Sequence, residues 1–197
     1  PTYAGPIAGL PDQAALHTGR AVFTEAYAVI PHGVMRDIVT SYLPHWDDTR
    51  AWIIARPMSG FSETFSQYIM EVLPGGGSDI PEPDAGAEGV LFVTEGQASI
   101  TIDGKPYQLG PGGYAFLPPG CRWILRNTGT APARFHWIRK RYEAVDGIDA
   151  PAAFVANEHD LPVNWMPGTG ERWGTTRFVE PTDLRHDMHV NIVTLEP

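Results

Sequence analysis

Three carboxylates stand close together near the middle of the chain, at Glu82, Asp84 and Glu88, in the stretch PEPDAGAEG. Residues two apart on a strand face the same side, so Glu82 and Asp84 could share a site with a third group a few residues on. Carboxylates bind hard cations such as Mg²⁺, Ca²⁺ or Mn²⁺, and paired carboxylates can act as general acid and general base. Pro81 and Pro83 flank Glu82, however, and favour a loop over a strand.

The spacing of the stretch GPGGYAFLPPGCRWILRN, residues 110–127, resembles that by which a cupin barrel adds a fourth position to such a site from a different strand. That position is Trp123, whose side chain offers a ring N–H and no atom that can ligate a metal. Its bulk predicts a pocket filled by aromatic packing. We therefore interpret Glu82, Asp84, Glu88 and Trp123 as the positions of a degenerate site without a metal. A hard-cation site and an acid–base pair are the alternatives.

Other residues with reactive side chains carry weaker signals. Cys121 is the single cysteine, so an intrachain disulfide and a thiolate metal cluster are excluded. We expect it to be a small packed residue rather than a nucleophile activated by Arg122. The basic run RKR at 139–141 is interpreted as a solvated strand end, with anion binding as the alternative. His186 and His189 lie three apart on a predicted strand, hence on opposite faces, and we expect surface and turn positions for them.

Composition limits the classes of partner. The chain has 197 residues, with 14 Lys and Arg against 23 Asp and Glu, giving a net charge of −9. This charge argues against nucleic acid or an anionic membrane surface as the main partner, because both favour clustered basic residues. No apolar run approaches the roughly 20 residues that span a bilayer, and the first residues lack the regions of a signal peptide. We expect a soluble, cytoplasmic protein that binds neither nucleic acid nor membranes.

The elements that must position these residues are predicted to be strands. The chain has 21 Gly and 19 Pro between short apolar runs, a pattern typical of many short strands joined by turns. Asp103-Gly104 between two alternating segments predicts a hairpin with a type I′ turn. No stretch shows a helical period beyond two turns, so we predict an all-β fold. The predicted strands lie at 21–30, 37–43, 51–58, 62–73, 89–96, 98–109, 113–120, 124–127, 134–142, 175–181 and 187–197.

The amino-acid composition of the chain changes near residue 143. Residues 143–174 are rich in Pro, Gly, Asp and Asn and are interpreted as a connecting segment. The resulting division has an N-terminal arm at 1–20, a barrel at 21–143, and a linker with the incomplete start of a second barrel at 144–197.

The spacing of the site residues resembles that of a cupin, a double-stranded β-helix or jelly-roll barrel. Glu82 and Asp84 stand where a cupin has the two histidines of its His-x-His motif, and Trp123 stands where it has a third histidine. Four stretches are more specific and resemble the bicupin (S)-ureidoglycine aminohydrolases, known in bacteria as glyoxylate-induced proteins. They are EGVLFVTEG (88–96), GGYAFLPPG (112–120), RKRYEAVDG (139–147) and DMHVNIVTLEP (187–197).

This resemblance implies an activity in allantoin and purine breakdown. Such enzymes hydrolyse the amine from (S)-ureidoglycine, a small ureido substrate, releasing ammonia and giving (S)-ureidoglycolate, and they form homo-oligomers. Their Mn²⁺ is held in the second cupin by a Glu-x-His-x3-His set and a Gln, whereas the first cupin is metal-free. The ligand stretch is expected beyond TLEP at the end of this chain, so no catalytic residue transfers, no metal or cofactor is expected here, and residues 1–197 alone should be inactive. The alternative is a metal-free cupin that binds a ligand or mediates oligomerisation without enzymatic activity.

Overall fold

The computed structural model describes residues 21–24, 27–31, 41–56 and 64–196, and these ranges are nearly all strand and turn. A short 3-10 helix spans Glu158–Asp160, and no helix in the described part of the chain is long and apolar enough to cross a membrane. The predicted arm at 1–20, most of the predicted strand at 37–43 and the end of that at 51–58 fall outside these ranges. The strands are β1 (Val22–Phe23), β2 (Ala28–Val29), β3 (Asp47–Ala55), β4 (Phe65–Ser78), β5 (Ala87–Glu95), β6 (Ala98–Ile102), β7 (Lys105–Leu109), β8 (Gly113–Leu117), β9 (Trp123–Arg126), β10 (Ala133–Arg141), β11 (Phe154–Asn157), β12 (Val163–Trp165), β13 (Trp173–Arg177) and β14 (Asn191–Leu195).

A nine-stranded antiparallel sheet forms a nearly closed barrel. Its strands run in the order β11-β8-β5-β10-β4-β9-β6-β7, and β3 pairs with β4 beside this path. The long strand β4 holds the barrel together, because its first part pairs with β3 and β10 while its last two residues pair with β9. The all-β prediction and the cupin barrel are thereby confirmed.

The end of β4 depends on a glycine. Gly77 has φ +135°, and a Cβ at this position would lie 2.0 Å from the carbonyl oxygen of Leu125. Only the absence of a side chain therefore lets β4 approach β9 closely enough for Gly77 to pair with Arg126.

The predicted hairpin is present as β6 and β7. Ala98 to Ile102 pair with Leu109 to Lys105 across the two-residue turn at Asp103 and Gly104. Both turn residues have positive φ, +46° and +82°. This geometry is that of a type I′ turn, whose twist matches the twist of the flanking strands.

Each face of strand β5 packs against a different hydrophobic cluster. Leu91 and Val93 point into the barrel, together with Phe135 and Trp137 of β10. The alternate residues of β5, beginning with Val90, point outward. They are covered there by partly buried or buried apolar residues of the segment 178–190, which contains no strand: Phe178, Met188 and Val190.

The C-terminal part differs in detail from the prediction. Strand β11 lies inside the segment interpreted as a connection, and it pairs with β8 at the edge of the barrel sheet. Strands β12, β13 and β14 form a separate three-stranded sheet. The predicted strands at 175–181 and 187–197 are each shorter in the structure, because residues 178–190 pack side chains onto the barrel instead of pairing their backbone. The domain boundary at residue 143 stays a prediction.

Candidate functional site

The loop between β4 and β5 closes one end of the barrel and carries two of the predicted site residues, Glu82 and Asp84. The loop is held to the barrel core by Trp46, whose indole N–H donates to the carbonyl oxygen of Pro81 over 3.4 Å. It is also braced internally, since Asp84 N–H donates to Glu82 Oε1 (3.0 Å) and Gly86 N–H donates to Asp84 Oδ1 (2.8 Å). The prolines thus give a loop, as expected, and its own hydrogen bonds fix both carboxylates.

Both loop carboxylates are paired with arginines from β10. Arg139 Nη2 donates to Glu82 Oε1 over 2.7 Å, and Arg141 Nη2 donates to Asp84 Oδ2 over 3.0 Å. The backbone N–H of Gly86 and then the guanidinium of Arg141 lower the pKa of Asp84. Alternation along β10 sends these two arginines to the barrel mouth and Lys140 to the outer face, where it pairs with Asp187. The interpretation of the basic run as a solvated strand end is therefore wrong for Arg139 and Lys140, whereas Arg141 is exposed at the end of the strand.

Trp123 is buried within a group of three indoles beneath this loop. Its ring centroid lies 6.3 Å from that of Trp46 and 6.0 Å from that of Trp137, and the last two are 5.6 Å apart. Gly89 on β5 leaves room for this packing, because a Cβ there would lie 3.2 Å from the Trp137 ring nitrogen. A cavity of about 130 Å³ remains between the rings and the loop, lined by Glu82, Asp84, Trp123 and Trp137 among others.

A wider groove of about 400 Å³ adjoins this cavity on the side of the β6–β7 turn, and it shares Glu82, Cys121 and Trp123 with it. Burial, followed by the nearby Asp103 carboxylate, raises the pKa of the Cys121 thiol to about 11. Cys121 packs against the barrel core, and its thiol stays protonated at neutral pH. It is thus a packing residue and not an activated nucleophile.

Glu88 does not join the other predicted site residues. It lies on β5 directly opposite Lys140 of β10 and is 1% exposed. Since Gly89 lines the cavity, the alternation of the strand directs Glu88 away from it, onto the outer face beneath Asp187. Burial, and then the Asp187 carboxylate, raise the pKa of Glu88 to about 9. The structure therefore brings together Glu82, Asp84 and Trp123 and places Glu88 elsewhere.

The two C-terminal histidines lie in the segment 178–190 and not on a strand. The ring of His186 is buried against Phe116, with centroids 4.6 Å apart, and its burial lowers its pKa. His189 Nε2–H donates to the carbonyl oxygen of His186 over 3.2 Å, and the two rings lie 6.4 Å apart. The prediction of opposite faces and of a surface position for His186 is wrong, because the segment folds back on β8.

The residues at the barrel mouth do not suit a metal ion. Glu82 and Asp84 direct their oxygens at guanidinium groups, Trp123 has no ligand atom, and Glu88 is on the other side of the strand. Within the described ranges no group of three or more His, Cys, Asp and Glu side chains is arranged to hold a metal. The arrangement can instead accept or donate hydrogen bonds to a small polar molecule at the rim of an aromatic cavity.

Sequence reasoning missed three residues of this site: Trp46, Arg139 and Arg141. The pairing of both arginines could have been predicted from their spacing. Arg139 and Arg141 are two residues apart on a strand, and their partners Glu82 and Asp84 are two residues apart in the loop. Trp46 lies before β3 in a stretch without a regular pattern, and no sequence signal connects it with Pro81.

Comparison with known proteins places the chain in a family. The model of the cupin domain matches residues 68–139. Over 167 residues the chain is 26% identical to the (S)-ureidoglycine aminohydrolase of Escherichia coli strain K12, and this match covers 85% of the chain and 60% of that enzyme. The chain thus spans about three fifths of the length of this curated relative.

Two crystal structures resemble the whole barrel and its C-terminal extension. A protein of Pseudomonas aeruginosa, designated a glyoxylate-induced protein, is 62% identical with a TM-score of 0.85, over 91% of this chain and 67% of that one. The Escherichia coli protein Ylba has the same fold, with 24% identity and a TM-score of 0.75, over 92% of this chain and 69% of that one. The barrel and these similarities lead to one assignment: the chain belongs to the cupin family of the glyoxylate-induced proteins and (S)-ureidoglycine aminohydrolases.

Proposed function

We propose that the chain forms the non-catalytic barrel of an (S)-ureidoglycine aminohydrolase, which releases ammonia from (S)-ureidoglycine to give (S)-ureidoglycolate. The observation that carries this proposal is the state of the barrel mouth. Two arginines neutralise Glu82 and Asp84, which the sequence resemblance aligns with two cupin histidines, and the indole of Trp123, aligned with a third, packs against Trp137. The identity to the Escherichia coli aminohydrolase over most of the chain supports the reaction.

In this proposal the metal, Mn²⁺, is held by residues outside this chain. The barrel then contributes rigidity and a docking surface for the metal-binding domain. The three-stranded sheet β12–β14 supports such a role, because one face of it exposes the apolar side chains of Trp173, Val193 and Leu195. Strand alternation puts these three on the same side, since Trp173 is paired with Leu195 and Val193 lies two residues before it.

The test compares the complete product of the reading frame with residues 1–197. We expect the complete product to release ammonia from (S)-ureidoglycine and to contain manganese by elemental analysis, whereas residues 1–197 release none. In the complete product, the variant Glu82→Gln/Asp84→Asn should keep kcat within about twofold, since neither residue contacts the reacting atoms. No ammonia release by the complete product contradicts the substrate. Loss of turnover in a folded Glu82→Gln/Asp84→Asn protein contradicts the non-catalytic role.

A second candidate is a barrel that binds a small polar ligand without catalysis. The observation in its favour is the cavity of about 130 Å³ between Trp123, Trp137 and the paired carboxylates. Quenching of indole fluorescence distinguishes the candidates. Saturable quenching by (S)-ureidoglycolate or allantoin in residues 1–197, lost in Trp123→Leu, together with an inactive complete product, supports the binding module over the enzyme.

A further inference from the structure

Three carboxylate oxygens on the outer face of the barrel have no hydrogen-bond donor. Both oxygens of Glu88 and Oδ1 of Asp187 are buried without a partner among the described residues. The other oxygen of Asp187 is satisfied, because Oδ2 accepts from Lys140 Nζ and from the N–H of Glu143, each over 2.7 Å. Glu88 lies opposite Lys140 on β10, and Lys140 Nζ contacts Asp187, so the two carboxyl groups are close neighbours and each shifts the pKa of the other. Two ionised carboxylates in contact, one of them 1% exposed, would be strongly unfavourable.

A single proton on one of the two carboxyl groups removes this repulsion. We propose that Glu88 is protonated and donates to Asp187 Oδ1, and that this hydrogen bond holds the segment 178–190 against the barrel. The buried group then contains one neutral acid, one anion and the Lys140 cation, and its net charge is zero. Every buried oxygen of Asp187 gains a donor, as buried polar groups generally require.

The hydrogen bond between Glu88 and Asp187 affects the whole C-terminal part of the chain. Asp187 lies at the end of the segment that covers Tyr114 and Phe116, shortly before β14 begins at Asn191. Tyr142, the residue after β10, donates its OH to the carbonyl oxygen of Arg185 over 3.0 Å, which is a second contact that holds this segment. Deprotonation of Glu88 would place two anions against one cation in a buried site. The segment, and with it the attachment of the three-stranded sheet, should then open.

The sign of the pH dependence follows from the proton. Glu88 has a pKa of about 9 in the closed state and its ordinary value of 4.5 when the segment is open and hydrated. Between these values the closed state binds one more proton, so the opening equilibrium rises roughly tenfold for each pH unit and levels off above about pH 9.

The other titratable groups around Glu88 and Asp187 titrate outside the range from about pH 7 to about pH 9. The pKa of His186 and that of Asp187 are lowered, so both titrate below neutrality. The pKa of Tyr114 and that of Tyr142 are raised, so both groups titrate above neutrality. Lys140 Nζ forms an ion pair with Asp187 Oδ2 over 2.7 Å. The range from about pH 7 to about pH 9 therefore reports on Glu88.

Hydrogen exchange of amides in 178–190, corrected for the intrinsic pH dependence of exchange, tests the proposal. We expect protection to fall roughly tenfold per pH unit from about pH 7 to pH 9 in the natural protein. Glu88→Gln, whose amide can donate to Asp187 at any pH, should show no such slope. Glu180→Gln, an exposed acid in the same segment, is the matched control and should keep the slope.

A spectroscopic measurement on the natural protein is independent of whether the variants fold. The carbonyl band of a protonated carboxylic acid should appear in the infrared spectrum at neutral pH and disappear near pH 9. Equal exchange slopes in the natural protein and Glu88→Gln, or the absence of this band at neutral pH, would overturn the proposal.

Discussion

Arg139 of β10 and Glu82 of the β4–β5 loop form an ion pair across the barrel mouth. Nη2 of Arg139 donates to Oε1 of Glu82 over 2.7 Å. The Glu82 side chain is 9% exposed and that of Arg139 is 28% exposed. The carboxylate is thus neutralised within the protein, and the mouth has a structural rather than a ligating character.

This burial predicts unequal effects for the two arginines. Arg139→Met should lower the free energy of unfolding by about 2 kcal/mol, because Glu82 remains buried and unpaired. Arg141→Met should cause no change beyond the error of a urea titration, since its partner Asp84 is well hydrated. The double variant Glu82→Gln/Arg139→Met should recover more than half of the loss. Equal effects of the two arginine substitutions would contradict the role of burial.

The paired carboxylates also predict the response to metal ions. Excess Mn²⁺, Mg²⁺ or Ca²⁺ should leave the thermal midpoint of residues 1–197 unchanged, whereas a bound ion at 100 times its Kd would add about 2.7 kcal/mol of stability. The double variant Arg139→Met/Arg141→Met leaves Glu82 and Asp84 without their arginine partners. Its thermal midpoint should therefore rise slightly when these ions are added. A stoichiometric ion on the natural chain, found by elemental analysis after dialysis, would show that the interpretation of a metal-free mouth is wrong.

The close approach of β4 to β9 predicts a strong requirement for glycine at one position. Gly77→Ala should cost more than about 3 kcal/mol or prevent folding, because its Cβ would overlap the Leu125 carbonyl. Gly104→Ala is the matched control, since its φ of +82° is also positive but no atom lies within 4 Å of the added Cβ. We expect about 1 kcal/mol there. Similar shifts of Tm in the two variants would contradict the steric argument.

The environment of Cys121 predicts slow alkylation. With a pKa of about 11 instead of 9.0, the thiolate fraction at about pH 8 is roughly 100-fold lower than that of a free thiol. The rate of reaction with iodoacetamide should fall accordingly and rise until about pH 11. The same chain unfolded in urea gives the reference rate. A rate in the folded protein equal to this reference would exclude the raised pKa.

Much of the barrel could be predicted from local sequence. The Asp103-Gly104 turn requires two residues with positive φ, and few dipeptides supply them, so the β6–β7 hairpin was visible in advance. Trp123 marked a barrel packed by aromatic rings because its side chain has no ligand atom. Gly, Pro and alternating apolar residues likewise define strand ends and faces by local geometry alone.

Long-range placement was decided only by the tertiary structure. The sequence predicts Glu88 in one site with Glu82 and Asp84. A strand alternates its faces, however, and the start of β5 at Ala87 turns Glu88 outward to Asp187, which is 99 positions away in the sequence. The partners of the basic run and the burial of His186 depend in the same way on segments that meet only after folding. Sequence by itself determined the all-β class, the β6–β7 turn and most strands of the barrel. Which charges meet, and which of them share a proton, was settled by tertiary contacts, because electrostatic energies depend on distance and burial in space and not on separation along the chain.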